Sequence, residues 1–167
     1  QNFTKPELKH WLLGDQTLKD EDKVVQTFVV EDEQVKITDF FSFYLLPFTI
    51  LNNPSHNELG IAYLFYYASD IAFGESDESQ GNALLKKRLT DLISEALIIA
   101  KSLGADVFNA VSCQDNNLFL QDLKFGEGDG ILNYYLFNYK AKLISGGLNE
   151  SKHVDPANLS KVGVVML

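Results

Sequence analysis

Leu85, Leu89, Leu92, Ala96, Ile99 and Leu103 recur at spacings of 4, 3, 4, 3 and 4, with Lys86, Lys87, Asp91, Glu95 and Lys101 mainly elsewhere. That period predicts an amphipathic helix closed by Gly104 at its C′ position. Upstream the pattern changes. Residues 24–30 are rich in valine, and Glu31-Asp32-Glu33 leads to a second run from Val35, so a β-hairpin is expected. From Ile37 to Leu46 and from Ile61 to Tyr67 the apolar residues occupy both parities, as in central strands covered on two faces. Pro47 and the stretch Asn52–Asn57 supply breakers between them.

The flanking segments are read in the same way. Pro6–Leu13 fits a short amphipathic helix ended by Gly14, followed by an acidic loop through Asp22, and Ser69–Asn82 reads as a solvated loop. After the long helix come a buried strand over Ala105–Val111, a short helix over Asn116–Leu123 and an aromatic strand over Leu132–Tyr139. An apolar strand from Val162 to Leu167 closes the chain. This order predicts a mixed α/β domain around one sheet.

Composition narrows the function. Of 167 residues, 46% are hydrophobic and 22% charged, which suits a folded domain with a sizeable core. Fourteen Lys and Arg against 23 Asp and Glu give a net charge of −9, so nonspecific attraction to nucleic acid or anionic membrane is not expected. One cysteine, Cys113, excludes an internal disulfide and points to a reducing, cytoplasmic setting. No apolar run approaches the roughly 18 residues of a membrane-spanning helix. The chain begins at Gln1 with its one methionine at Met166, so it reads as a piece of a longer product.

Three features carry candidate chemistry. Phe125-Gly126-Glu127-Gly128-Asp129-Gly130 lacks the third glycine of a dinucleotide fingerprint and the Lys-Ser/Thr of a P-loop. It is either a tight turn needing glycine or a loop presenting Asp129 to a cation. Cys113 follows a predicted strand, but His10, His56 and His153 have no common spacing with it, so a structural thiol is preferred to a nucleophile. A terminus that is apolar to its last residue is unusual. It is either a docked strand whose α-carboxylate reaches solvent, or a carboxylate with a task. Aromatic residues from Phe40 to Phe48, Tyr63 to Tyr66 and Tyr134 to Tyr139 are expected mostly in the core, although tyrosines on adjacent strands could line a peptide groove.

Several segments together resemble the C-terminal half of N-myristoyltransferase. They are residues 36–47 (Lys-Ile-Thr-Asp-Phe-Phe-Ser-Phe-Tyr-Leu-Leu-Pro), 105–110 (Ala-Asp-Val-Phe-Asn-Ala), 124–130, 133–139 (Asn-Tyr-Tyr-Leu-Phe-Asn-Tyr) and 163–167 (Gly-Val-Val-Met-Leu). The resemblance runs from about His10 to Leu167, and the ending and Phe48 look more fungal than animal. It implies an α/β fold of the α+β type: a GNAT-like acyltransferase fold with a mixed, mostly antiparallel sheet and flanking helices.

The resemblance also implies roles. The chain as a whole, residues 1–167, would be the peptide-binding half, with the α-carboxylate of Leu167 as catalytic base. Tyr44, Phe48, Tyr63, Asn109, Val111 and Leu132 would line the peptide groove, and Asp129 and Gly130 would meet a substrate lysine. No tightly bound cofactor is implied. Myristoyl-CoA would be a co-substrate held mainly by an N-terminal half of the same enzyme, and the partners would be peptides and proteins with N-terminal glycine. The alternatives are a noncatalytic peptide-binding module with an acetyltransferase-like fold and an ordinary structural domain.

Overall fold

The computed structural model describes residues 2–73, 75–128, 130–135, 137–155, 157–158, 160 and 162. They fall into two compact units, residues 1–111 and 112–167. The first holds, among the described residues, the α-helices and the strands: α1 (Lys5–Leu13), β1 (Val25–Glu31), β2 (Ile37–Thr49), β3 (Glu58–Ser69), α2 (Glu78–Ser102) and β4 (Val107–Asn109). The strands form one sheet in the order β1-β2-β3-β4. The first two pairings are antiparallel and β3 with β4 is parallel, so the sheet is mixed, mostly antiparallel and flanked by helices, as expected for an α+β chain.

The central strands are those with apolar residues of both parities. Phe41, Ser42 and Phe43 are buried in succession in β2, which is possible only where both faces are covered. On one face Phe28, Phe41, Phe43 and Phe108 form a line of ring contacts between 5.3 and 6.5 Å. Helix α2 covers this face. Its buried stripe, Leu89, Leu92, Ile93, Ala96 and Ala100, follows the predicted helical period. Arg88 clasps the buried Asp39 of β2, its Nε donating to Oδ1 at 2.9 Å and its Nη2 to Oδ2. Burial alone would raise the Asp39 carboxyl, but hydrogen bonds from Arg88, Ser69 and Thr38, with the Arg88 charge, outweigh it and hold the pKa at about 2.

The other face carries α1. The Thr4 N–H donates to the Glu7 carboxylate at 2.6 Å, closing the first turn, and Gly14 follows the helix with φ +55°. None of its side chains is fully buried. The helix leans on the sheet through Trp11, whose ring lies 5.9 Å from Phe65, and through the Leu12 carbonyl, which accepts from the Thr27 hydroxyl.

Two glycines set close geometry. Gly104 ends α2 at φ +90°, as its C′ position predicts, and the Ala105 N–H reaches back to the Ala100 carbonyl at 3.0 Å. A Cβ on Gly60 would stand 2.6 Å from the Gly104 carbonyl oxygen. Bare of one, Gly60 exchanges hydrogen bonds with Asp106, donating to Oδ2 at 3.0 Å and accepting from its N–H at 2.8 Å, and this seats β4 on β3.

Several expectations need correction. Pro47 does not break β2, which continues to Thr49. Leu45 donates its N–H to Val24, the last contact with β1 along this direction, so the nitrogen of Pro47 faces an edge that β1 has already left. Helix α2 starts at Glu78, several residues before the end of the expected loop, because the Asp77 carboxylate accepts from the N–H groups of Ser79 (2.9 Å) and Gln80 (3.3 Å). The predicted strand at 105–111 shrinks to Val107–Asn109.

In the second unit the expected helix over Asn116–Leu123 is a 3₁₀ turn, Asn116–Leu118, followed by isolated turns that end at Lys124 with φ +63°. The described residues of Leu132–Tyr139 form no strand. Their aromatic side chains are outside the core: Tyr135 is 87% exposed and Phe137 98%. Strand composition becomes a strand only through ladder partners, and this segment has none among the described residues. Val162 is not in a strand either, although its carbonyl accepts from the Gln114 N–H at 2.7 Å. The remainder of the predicted terminal strand, 163–167, lies outside the described residues.

Candidate functional site

Cross-strand register builds the site. Tyr44 of β2 pairs with Tyr63 of β3, and Tyr63 pairs with Asn109 of β4. Directly paired residues project to the same side of a sheet, so the three form one row across three strands on the α1 face. The two tyrosine rings are stacked, 5.0 Å between centroids and 9° from parallel. All three residues are half-buried. Phe48 sits four positions along β2 from Tyr44, hence on the same face, and is 47% exposed.

The row depends on features sequence reasoning did not find. Phe41 pairs with Tyr67 and Phe43 with Leu64, so Phe65 and Tyr66 both stand opposite Ser42 in a β-bulge. The fully buried Ser42 hydroxyl closes it, donating to the Tyr66 carbonyl at 2.8 Å and accepting the Tyr66 N–H at 3.0 Å. Phe65 thereby meets Tyr44 edge to face at 5.8 Å. A serine amid aromatic residues in a central strand was the available signal.

The other predicted residues are placed as follows. Val111 is half-buried, two residues past the end of β4. Gly130 and Leu132 belong to the second unit and are exposed, Leu132 at 61%. Asp129 and Leu167 lie outside the described residues.

The row offers two aromatic rings and a carboxamide but no base of its own. Tyrosine and asparagine are neutral at pH 7, and asparagine both donates and accepts hydrogen bonds. Cys113 offers no nucleophile: burial pushes its thiol up to about 11, which favours the structural reading. Among the histidines, His10 lies in α1, His56 in the loop before β3, and the exposed His153 approaches Glu127 with Nδ1 2.5 Å from Oε2. No group of three metal-ligating side chains occurs among the described residues. Nor, among them, is any helix long and apolar enough to cross a membrane. A recess of about 400 Å³ bordered by Phe41, Arg88, Asp91 and Leu92 opens on the α2 side and includes none of the predicted site residues.

The sequence matches the family model for the C-terminal domain of myristoyl-CoA:protein N-myristoyltransferase over residues 1–165. It is 56% identical over 170 aligned residues to a glycylpeptide N-tetradecanoyltransferase of Candida glabrata, with all of this chain and 38% of that protein covered. The Saccharomyces cerevisiae counterpart is 54% identical over 169 residues, again over the whole chain and 37% of the relative. A crystal structure of Saccharomyces cerevisiae N-myristoyltransferase with bound myristoyl-CoA matches with a TM-score of 0.93 and 54% identity, covering all of this chain and 38% of that one. The chain thus spans less than two fifths of the length of these relatives. With agreement this extensive in both sequence and backbone, the chain belongs to the N-myristoyltransferase family and corresponds to its C-terminal domain.

Proposed function

We propose that this chain supplies the peptide-binding face and the catalytic base of an enzyme that moves myristate from myristoyl-CoA to the N-terminal glycine of proteins. The observation that carries this reading is the Tyr44–Tyr63–Asn109 row with Phe48 on the same face. Tyrosine rings offer flat apolar walls to an extended peptide, and a carboxamide can both donate to and accept from its backbone. Val111 and Leu132 add apolar surface, and Asp129 with Gly130 meets a lysine downstream of the glycine. Myristoyl-CoA is held mainly by the rest of the enzyme. A net charge of −9 makes this domain a poor host for a polyanionic carrier, which supports that division. The lone buried thiol suits a reducing compartment such as the cytoplasm.

In the proposed chemistry the Leu167 α-carboxylate removes a proton from the glycine ammonium. The freed amine attacks the thioester carbon, a C–N bond forms, the C–S bond breaks, and the second proton lost from the nitrogen passes to the departing sulfur, so that CoA leaves as its thiol. Reference values of about 3.3–3.7 for an α-carboxyl and about 7.7–8.0 for an α-amine make the first transfer uphill in water. Desolvation of both groups raises the acid and lowers the amine, narrowing the gap.

The test is made on the full-length enzyme. Amidating the Leu167 terminus, or appending one residue, is expected to lower the single-turnover rate by about 10²–10⁴-fold while myristoyl-CoA binding survives. Leu167→Met keeps the carboxylate and retains most of the rate. Full rate in the extended enzyme refutes the base assignment, and absence of any turnover by the unmodified enzyme favours the noncatalytic peptide-binding module.

A further inference from the structure

We propose that Phe65 is a positioning residue for the Tyr44–Tyr63 pair, held by Trp11 of α1 and by the bulge that Ser42 closes; this rests on the peptide-binding reading of that face. Phe65 is 5% exposed, too enclosed to meet a peptide itself. Its ring nonetheless meets those of Tyr44, Tyr66 and Trp11. Its ring stands at 88° to that of Tyr44, 5.8 Å away, an edge-to-face contact that opposes rotation of the tyrosine out of its stack with Tyr63. On its other sides are Tyr66, with ring centroids 4.3 Å apart, and Trp11, at 5.9 Å.

Both supports are themselves anchored. The Thr27 hydroxyl donates to the Leu12 carbonyl, tying the end of α1 to β1 next to Trp11. Ser42 holds the extra backbone residue of the bulge by two hydrogen bonds. The bulge is also what restores Tyr67 to the opposite face, across from Phe41, while Phe65 and Tyr66 share the site of one residue on the α1 side. Contact therefore runs from α1 through Trp11 and Phe65 to Tyr44 and Tyr63. Loss of the Phe65 ring loosens the peptide wall and leaves the acyl carrier's site alone.

The experiment is a double-mutant cycle on peptide KM in the full-length enzyme. Phe65→Leu is expected to raise peptide KM about two- to tenfold, the range an aromatic contact supports, with kcat and myristoyl-CoA affinity little changed. Trp11→Phe keeps a ring against Phe65 and stays near wild type, whereas Trp11→Ala, at a position 36% exposed, raises KM without deleting a buried side chain. In a Tyr44→Leu background, Phe65→Leu is expected to add no further increase, because it acts through the ring already removed. Phe28→Leu, the same replacement on the opposite face, leaves KM unchanged. Additive increases from Tyr44→Leu and Phe65→Leu overturn the proposal, as does an equal increase from Phe28→Leu. If Tyr44→Leu leaves KM unchanged, the peptide-binding reading fails instead.

Discussion

The Ser42 hydroxyl grips the backbone of Tyr66 from both sides, accepting its N–H at 3.0 Å and donating to its carbonyl at 2.8 Å. One side chain thus serves the residue that ladder pairing leaves over. Ser42→Ala is expected to cost about 1–3 kcal/mol, the penalty for withdrawing a hydrogen-bonding partner from a buried polar group. Urea denaturation of the chain measures it as a lower midpoint with an unchanged slope. A loss below about 0.5 kcal/mol refutes the role given to this hydroxyl.

Asp39 gives the chain a defined acid sensitivity. Its folded pKa of about 2 lies below the unfolded value of about 3.9, so its contribution is complete above about pH 5 and is lost as pH falls through about 2. The difference corresponds to about 2–3 kcal/mol. Asp39→Asn is expected to be less stable than wild type at pH 6 and to approach it near pH 2. Comparing the two proteins by denaturation across this window isolates Asp39 from the other carboxylates.

Gly60 has no room for a methyl group beside the Gly104 carbonyl, 2.6 Å from where its Cβ would lie. Gly60→Ala must push the end of α2 or the start of β4 outward, at about 1–3 kcal/mol. Because β4 carries Asn109 to the side of Tyr63, weaker peptide binding should accompany the drop in melting temperature. Unchanged stability and affinity contradict that seating.

Val35 turns the hairpin at φ +63°, a conformation β-branched residues resist, and it is 73% exposed. Its side chain gives little burial in return. Val35→Gly is expected to stabilise the chain by about 1 kcal/mol, seen as a higher midpoint in urea. A destabilised variant means that Val35 packs more than its exposure indicates.

What could be read from the sequence followed from local pattern. Apolar residues of both parities identified β2 and β3 as central, and the spacing from Leu85 onward gave Leu89, Leu92 and Ala96 of the buried stripe of α2, while Leu103 at its end is exposed and Ile93 and Ala100 complete the stripe instead. What could not be read depended on neighbours distant in sequence. Pro47 looks like a breaker until β1 is known to end beside Tyr44. The Ser42 bulge appears only when β2 and β3 are set in register, and with it the place of Phe65 beneath the tyrosines. Tyr135 and Phe137 have strand chemistry, but composition cannot supply a ladder partner. Within the predicted site, Tyr44, Tyr63 and Asn109 come together because the β2–β3 hairpin and a parallel crossover align them.

Among the described residues of the first unit, β2 overhangs β1 beyond Leu45, with Leu46 at 40% and Phe48 at 47% exposure along the overhang. Such a margin invites a strand from another molecule. Pro47 sits in the middle of it with its nitrogen on the side that β1 has left, where it withholds one of the donors an incoming strand would use. A missing donor makes this margin a poorer template for self-association. Pro47→Val restores that donor and is expected to sediment at a higher mass than wild type at rising protein concentration; equal masses refute this role for Pro47.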